Sequence, residues 1–305
     1  MKRALFALCL VSAPLIALGG GGPRVTAFDV TMPEGARLEF RGALRISPPD
    51  GDFGGLSGLL WEDGEALAIS DRTRWFRFPV AIEDGRLEGI GAIASGPLRD
   101  AGGADADGRG WDSEGLAHLA DGRLLISFEG DHRVQEFDDE ASPAGAELRA
   151  AEWEEFGSNS GLEALAVDAS DRIWAIRERS GAEDRPFPVF VSSSSGWEEK
   201  TLPRDNGYLP TGADFGPDGW LWIVERKFSL FTGFKTRIRR ARWGAGAAPD
   251  AIEIMATFPA SAGLDNLEGI AVREEDGETR ILLVSDDNFM ALQRNVLALF
   301  AYSEP

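Results

Sequence analysis

One unit recurs five times in this chain, and such a recurrence restricts the fold more than any other feature. Each copy opens on a small or acidic residue, continues with Gly or Ala and an apolar pair, turns, and returns as an apolar strand ending in an acid. The copies run from Ser57-Gly58-Leu59-Leu60 to Asp71, from Glu114-Gly115-Leu116-Ala117 to Glu129, from Glu163-Ala164-Leu165-Ala166 to Glu178, from Thr211-Gly212-Ala213-Asp214 to Glu225, and from Glu268-Gly269-Ile270-Ala271 to Asp286. Successive starts lie 57, 49, 48 and 57 residues apart. Asp63-Gly64, Asp121-Gly122, Asp218-Gly219 and Asp276-Gly277 separate the halves of four copies, and Asp-Gly between apolar alternations favours a tight hairpin. Two-residue turns would set Glu114 opposite Glu129 and Glu163 opposite Glu178.

A sheet unit of about 50 residues, repeated at about four strands each, predicts an all-β chain folded as a β-propeller. The expected blade count is six, with seven or five as alternatives. Residues 24–47 would supply one part of the sixth blade and residues 295–302 the other. The regular period and this split terminal unit argue against a solenoid or a sandwich.

The chain has 305 residues, 51 acidic against 31 basic, and a formal net charge of -20. At 43% apolar it is too hydrophobic for a disordered chain and too polar for a multi-span membrane protein. The acidity repels phosphates, so nucleic acid is excluded as a partner and anionic membranes are disfavoured. It suits cations, or ligands that bring one. Lys2 and Arg3 followed by an apolar run over 4–18 and Gly19 to Gly22 form a secretory signal pattern, expected to cover residues 1–19. An N-terminal segment, 20–36, and one propeller domain, 37–305, would follow. The only cysteine, Cys9, would leave with the signal, so a periplasmic or secreted protein without thiols is expected, with no stable membrane anchor and as a monomer.

The residues exclude several chemistries. His118 and His132 are the only histidines, and without Cys the common zinc sites are gone. No Gly-x-Ser-x-Gly elbow is present. His118 reads as a packed strand residue and His132 as a loop residue. Glu114, Glu163 and Glu268 share one repeat position, at the head of the innermost strand, so they should converge at one mouth of the central channel as catalytic and metal-binding residues. Asp265 and Asn266 join them as expected metal ligands, and Asp112 and Asn159 add oxygen donors. Clustered carboxylates repel one another, and calcium, which takes roughly six to eight oxygens, relieves that conflict. Ser57 and Thr211 stand at this position in the remaining copies, leaving the set incomplete. Arg72, Arg133, Arg177, Arg226, Lys227 and Arg237 lie close to the repeat acids and are expected to bind substrate, since Arg suits bidentate phosphate or carboxylate contact.

Several strings resemble the phytase-like β-propeller family, associated with esterase-like activity. They are Gly54-Gly55-Leu56-Ser57-Gly58-Leu59, Ser70-Asp71-Arg72, Asp112-Ser113-Glu114-Gly115-Leu116-Ala117 and Asn159-Ser160-Gly161-Leu162-Glu163-Ala164-Leu165. Glu225-Arg226-Lys227-Phe228-Ser229 with Gly233 and Thr236-Arg237-Ile238, Asp265-Asn266-Leu267-Glu268-Gly269-Ile270 and Ser285-Asp286-Asp287-Asn288-Phe289 complete the set. The resemblance implies a propeller and phosphate- or ester-directed hydrolysis. The expected function is a calcium-dependent hydrolase of a small anionic or ester substrate. The alternatives are a calcium-dependent lactonase-like propeller and a non-catalytic binding or scaffold propeller.

Overall fold

The computed structural model describes residues 23–47, 51–108, 110–157, 160–290 and 292–304. The expected signal segment, Cys9 and Asn159 lie outside the described residues. Blade I consists of Leu56–Glu62, Glu65–Ser70, Arg74–Glu83 and Arg86–Ile90, with Ala94–Pro97 also paired to its third strand. Blade II holds Asp112–His118, Leu124–Glu129, Arg133–Phe137 and Ala144–Leu148. Blade III holds Ala164–Val167, Ile173–Ile176, Phe187–Ser193 and Gly196–Leu202. Blade IV holds Leu209–Phe215, Leu221–Ser229, Gly233–Arg242 and Ala251–Phe258. Blade V starts with Asn266–Glu275 and Glu278–Asp286, continues with Asn295–Tyr302, and ends on the N-terminal strands Glu39–Ser47 and Arg24–Ala27.

The propeller therefore has five blades, not six. Both chain ends complete the fifth copy instead of forming a blade of their own. The reason is that the fifth copy supplies only two strands before residue 295, and its outer half is missing until Glu39–Ser47 pairs with Asn295–Tyr302. That pairing also fastens the first part of the chain to the last.

The second strand of each blade is apolar on both faces, because each face meets a different neighbour. Five apolar clusters result, one per blade interface: Ile69 with Phe128, Leu125 with Phe190, Trp174 with Leu221, Trp222 with Leu283, and Phe76 with Leu282. At the centre, five inner strands crowd around the axis. Small residues at the repeat position make that possible. A Cβ on Gly115 would lie 2.6 Å from Leu165 Cβ, and one on Gly212 would lie 2.0 Å from the Glu268 carbonyl oxygen. Gly212→Ala is expected to cost about 2 kcal/mol, since the ring of strands must open to admit the methyl group; equal denaturation midpoints for the two proteins would contradict this.

The hairpin registers differ from the two-residue expectation in blades II and III. Leu119 N–H bonds Arg123 O, and Asp168 N–H bonds Arg172 O, so each loop holds three residues. Gly122 and Asp171 take the left-handed conformation such loops require. The inner strands of blades I, II, IV and V then shift register at Ser57, Glu114, Thr211 and Glu268. A bulge at this position re-aims the side chain away from the strand's alternation. Asp112, not Glu114, consequently faces Glu129 across the ladder.

Candidate functional site: an acidic channel mouth

The bulges set the geometry of one end of the channel. Among the described residues, Asp71, Asp112, Glu114, Glu129, Glu163, Glu178, Glu268 and Asp286 line a pocket of about 300 Å3, against two guanidinium groups, Arg179 and Arg226. Glu114, Glu163 and Glu268 come together here. Where the repeat has Ser57 and Thr211, the hydroxyls bond the next blade's backbone, at Ser113 O (2.6 Å) and Leu267 O (3.0 Å). At this position those two copies tie blades together and contribute no carboxylate.

The mouth divides into two halves. On one side, single oxygens of Asp112, Glu114 and Glu129 all lie within 4.8 Å of one another. Glu129 is held by the Gly161 N–H at 2.9 Å, from blade III. Three converging hard oxygen donors suit a divalent metal ion such as calcium. On the other side Arg226 spans the mouth, pairing with Glu268 and, at 3.3 Å, with Glu178. Its Nη1 also donates to Asn266 Oδ1 (3.1 Å), while Asn266 Nδ2 donates to Glu268 Oε1 (2.7 Å) and Asp286 Oδ2 (3.2 Å). Asn266 is fully buried with its amide occupied, so it braces Glu268. Asp265 accepts from the backbone N–H groups of Asn266 and Arg294 and stays out of the pocket lining.

Electrostatics follow from crowding. Burial and the neighbouring Glu163 raise the Glu114 carboxyl well above the usual range. Burial and Glu178 do the same to Glu163, with Arg226 opposing. Burial raises Glu268 as well, against the pull of Arg226. Asp286 is pushed up to about 8, by burial first and Glu268 second. Asp71 rises to about 6, through burial and then Asp112. Burial works against the charge of Arg226, but Glu268, Glu163 and Glu178 more than offset it, and its proton is held more tightly than usual.

The other expected substrate-binding residues are dispersed. Arg133 is buried between the rings of Trp111 and Phe128 and donates to Gly110 O at 2.5 Å. Arg237 is buried on Glu225 (2.6 Å) and Asp205 (2.8 Å). Both brace their blades instead of facing a ligand, because each meets its acceptors within or beside its own sheet. Arg177 stacks on Phe156 and bonds Ser160 Oγ (2.9 Å), Lys227 bonds Asn206 O (2.6 Å), and Arg72 lies over the Phe289 ring. The pocket lining adds Asp71, Glu129, Glu178, Asp286 and Asn288 to the expected set. The signal for four of them was the acid ending each copy's second strand; Glu225, the fifth such acid, is drawn away by Arg237.

The histidines stand elsewhere. His132 is buried against Phe156, with Nε2 3.2 Å from Gly157 O. His118 lies at the hairpin end of its strand, with Nε2 3.0 Å from Glu62 and Nδ1 3.2 Å from Leu119 O. Both ring nitrogens face acceptors, so the bond to Glu62 raises its pKa above 6.5. This pair therefore stabilises the fold below the unfolded histidine value and ceases to do so as pH rises through the folded one. Glu62→Gln is expected to cost under about 1 kcal/mol near pH 6 and nothing near pH 9, the pair being partly solvated; a pH-independent cost in denaturant titrations would contradict the assignment.

Residues 51–289 match the phytase-like family model, described as esterase-like activity of phytase. The chain belongs to the phytase-like family. The strings that carried the resemblance supply the mouth: Asp71, Asp112, Glu114, Glu163, Arg226, Glu268 and Asp286 all fall within them. Comparison with curated proteins returns no match. Among solved structures, the chain is similar to a PQQ-bound aldose sugar dehydrogenase from Streptomyces coelicolor, at 14% identity and TM-score 0.46, over 92% of this chain and 99% of that one. It is also similar to virginiamycin B lyase from Staphylococcus aureus, at 11% identity and TM-score 0.44, over 92% and 100% of the two chains. A third is the Malassezia sympodialis allergen Mala s 1, at 14% identity and TM-score 0.46, over 87% and 89%.

Proposed function

We propose that this phytase-like propeller is an exported, cation-dependent hydrolase of small phosphoesters or carboxylic esters, acting at the acidic mouth. The observation that carries the reading is the excess of eight carboxylates over two guanidinium groups in one pocket of about 300 Å3. Asp112, Glu114 and Glu129 would hold the cation. Bound there, a divalent ion supplies a Lewis acid for a phosphoryl or carbonyl oxygen and a more acidic water. Asp71, with its pKa near 6, is suited to move a proton at the leaving oxygen near neutral pH. Arg226 holds Glu178 and Glu268 in place, and Arg179, paired with Glu178 and mostly exposed, is the charge at the rim that an anionic substrate would meet. Glu163 and Glu268 then form the wall of the site, and Glu268 is a positioning residue rather than a ligand.

A panel of phosphomonoester, aryl ester and lactone substrates, assayed with calcium and with chelator, tests this. Turnover of the first or second that disappears with chelator is expected, and Asp71→Asn should lower it about 100-fold. Lactone turnover alone would replace the reading with a lactonase. No turnover on the panel, with calcium still bound, would mean a binding module.

A further inference from the structure

The blade IV hairpin runs on past the mouth. Its second strand continues from Arg226, in the pocket wall, to Ser229, and the chain returns at Gly233. At about 3.3 Å per residue, Phe231 stands roughly 15 Å beyond Arg226. Phe231 is 97% exposed, Leu230 88% and Phe228 55%. The tip is held by its own contacts: Phe228 and Phe234 pair across the ladder with ring centroids 4.9 Å apart, and the Thr232 and Phe231 N–H groups bond Ser229 O and Ser229 Oγ. Lys227 and Lys235 face each other at its base. Residues 226–242 carry seven Lys or Arg and no Asp or Glu, in a chain of net charge -20. On the same face, in the blade V loop that follows Asp286, Met290 and Leu292 are also exposed, at 57% and 86%.

We propose that this tip docks on a lipid surface, with Leu230, Phe231 and Phe228 among the acyl chains and Lys227 and Lys235 at the level of the headgroup phosphates. Apolar side chains outermost and lysines behind them is the order of polarity met on entering a bilayer. A protruding turn with neighbouring apolar residues at its apex is convex. It fits a fluid phase that closes around it, and among the described residues no polar rim of the kind that surrounds the apolar core of a protein interface encircles its apex. The overall negative charge disfavours general adhesion to anionic lipid, so contact is confined to this basic, aromatic point, and the acidic mouth is turned toward the surface.

Co-sedimentation of the purified protein with phosphatidylcholine vesicles, with and without phosphatidylglycerol, is the test. The protein is expected to partition onto both. Each inserted apolar side chain is worth about tenfold, so Leu230→Ser combined with Phe231→Ser should weaken partitioning about 100-fold. That double variant should melt like the parent, because both side chains are already exposed. Lys227→Gln with Lys235→Gln should remove any preference for phosphatidylglycerol. Absence of partitioning onto either vesicle, or equal partitioning of the apolar double variant, would overturn the proposal. So would a concentration-dependent dimer in sedimentation velocity that the double variant abolishes while vesicles stay unbound, since the tip would then join two copies of this chain.

Discussion

Arg226→Ala is expected to lower the unfolding free energy by about 3 kcal/mol in cation-free protein, and the melting temperature by roughly 5 °C. The cause is what remains behind. Without the guanidinium, Glu178 and Glu268, at 3% and 5% exposure, keep their charges or take up protons with only the exposed Arg179 left beside Glu178. Breaking a buried ion pair costs more than the pair was worth, because the survivors are stranded. Arg226 retains 24% side-chain exposure toward the mouth, which keeps the expected figure at the lower end of the range for such losses. Losing this positive charge should also strengthen cation binding, so the deficit should shrink when calcium is added. Glu268→Gln should reproduce part of the loss, since Arg226 and Asn266 then meet a neutral amide oxygen in place of a charged carboxylate. An unchanged melting temperature in Arg226→Ala, with substrate affinity lost, would show that Arg226 serves the ligand alone.

Calcium is expected to raise the melting temperature of chelator-stripped protein by about 5 °C at 100 times its dissociation constant, where linkage supplies about 2.7 kcal/mol. The gain should depend on pH, with a sign that follows from the carboxylates. Asp71 and Asp286 have folded pKa values of about 6 and about 8, both above the ordinary 3.8. Between those limits the folded state holds protons that the unfolded chain has released. Stability of the cation-free protein therefore falls as pH rises from about 4 to about 8 and levels off above. Burial also raises the carboxyls of Asp112, Glu114 and Glu129, so protons compete with the cation for its own ligand oxygens, and calcium should stabilise most near pH 8 and least near pH 5. Glu114→Gln and Glu129→Gln should each remove most of the gain, because each takes one of three converging donors. Calorimetric scans with and without calcium at the two pH values decide the matter: a gain of equal size at both, or one that survives both substitutions, would place the ion elsewhere.

Much of this was legible in the repeat. A recurring acid at one strand position, combined with the rule that equivalent positions in a propeller share a radius and a height, is enough to bring Glu114, Glu163 and Glu268 to one mouth. The acids closing each second strand pointed to Asp71, Glu129, Glu178 and Asp286 for the same reason. Repetition carries this information because each copy solves the same local packing problem.

What repetition does not encode is how copies meet. Whether residues 24–47 and 295–302 form a sixth blade or complete the fifth depends on which sheet edge they close, a contact more than 200 residues apart in sequence. The fate of each arginine is likewise decided by distance in space: Arg237 finds Glu225 and Asp205, Arg133 lies between two aromatic rings, and of the six residues expected to bind substrate Arg226 alone lines the mouth. The division of the mouth into an open carboxylate trio and an arginine-paired half also belongs to the fold. The bulges at Glu114 and Glu268 aim identical repeat residues inward, and the neighbouring blade then determines which meets another acid and which meets Arg226. Local pattern determined the fold class, the strands and the face that carries charge; tertiary structure decided the blade count and the pairing of each charge, because both are set by neighbours the local pattern does not specify.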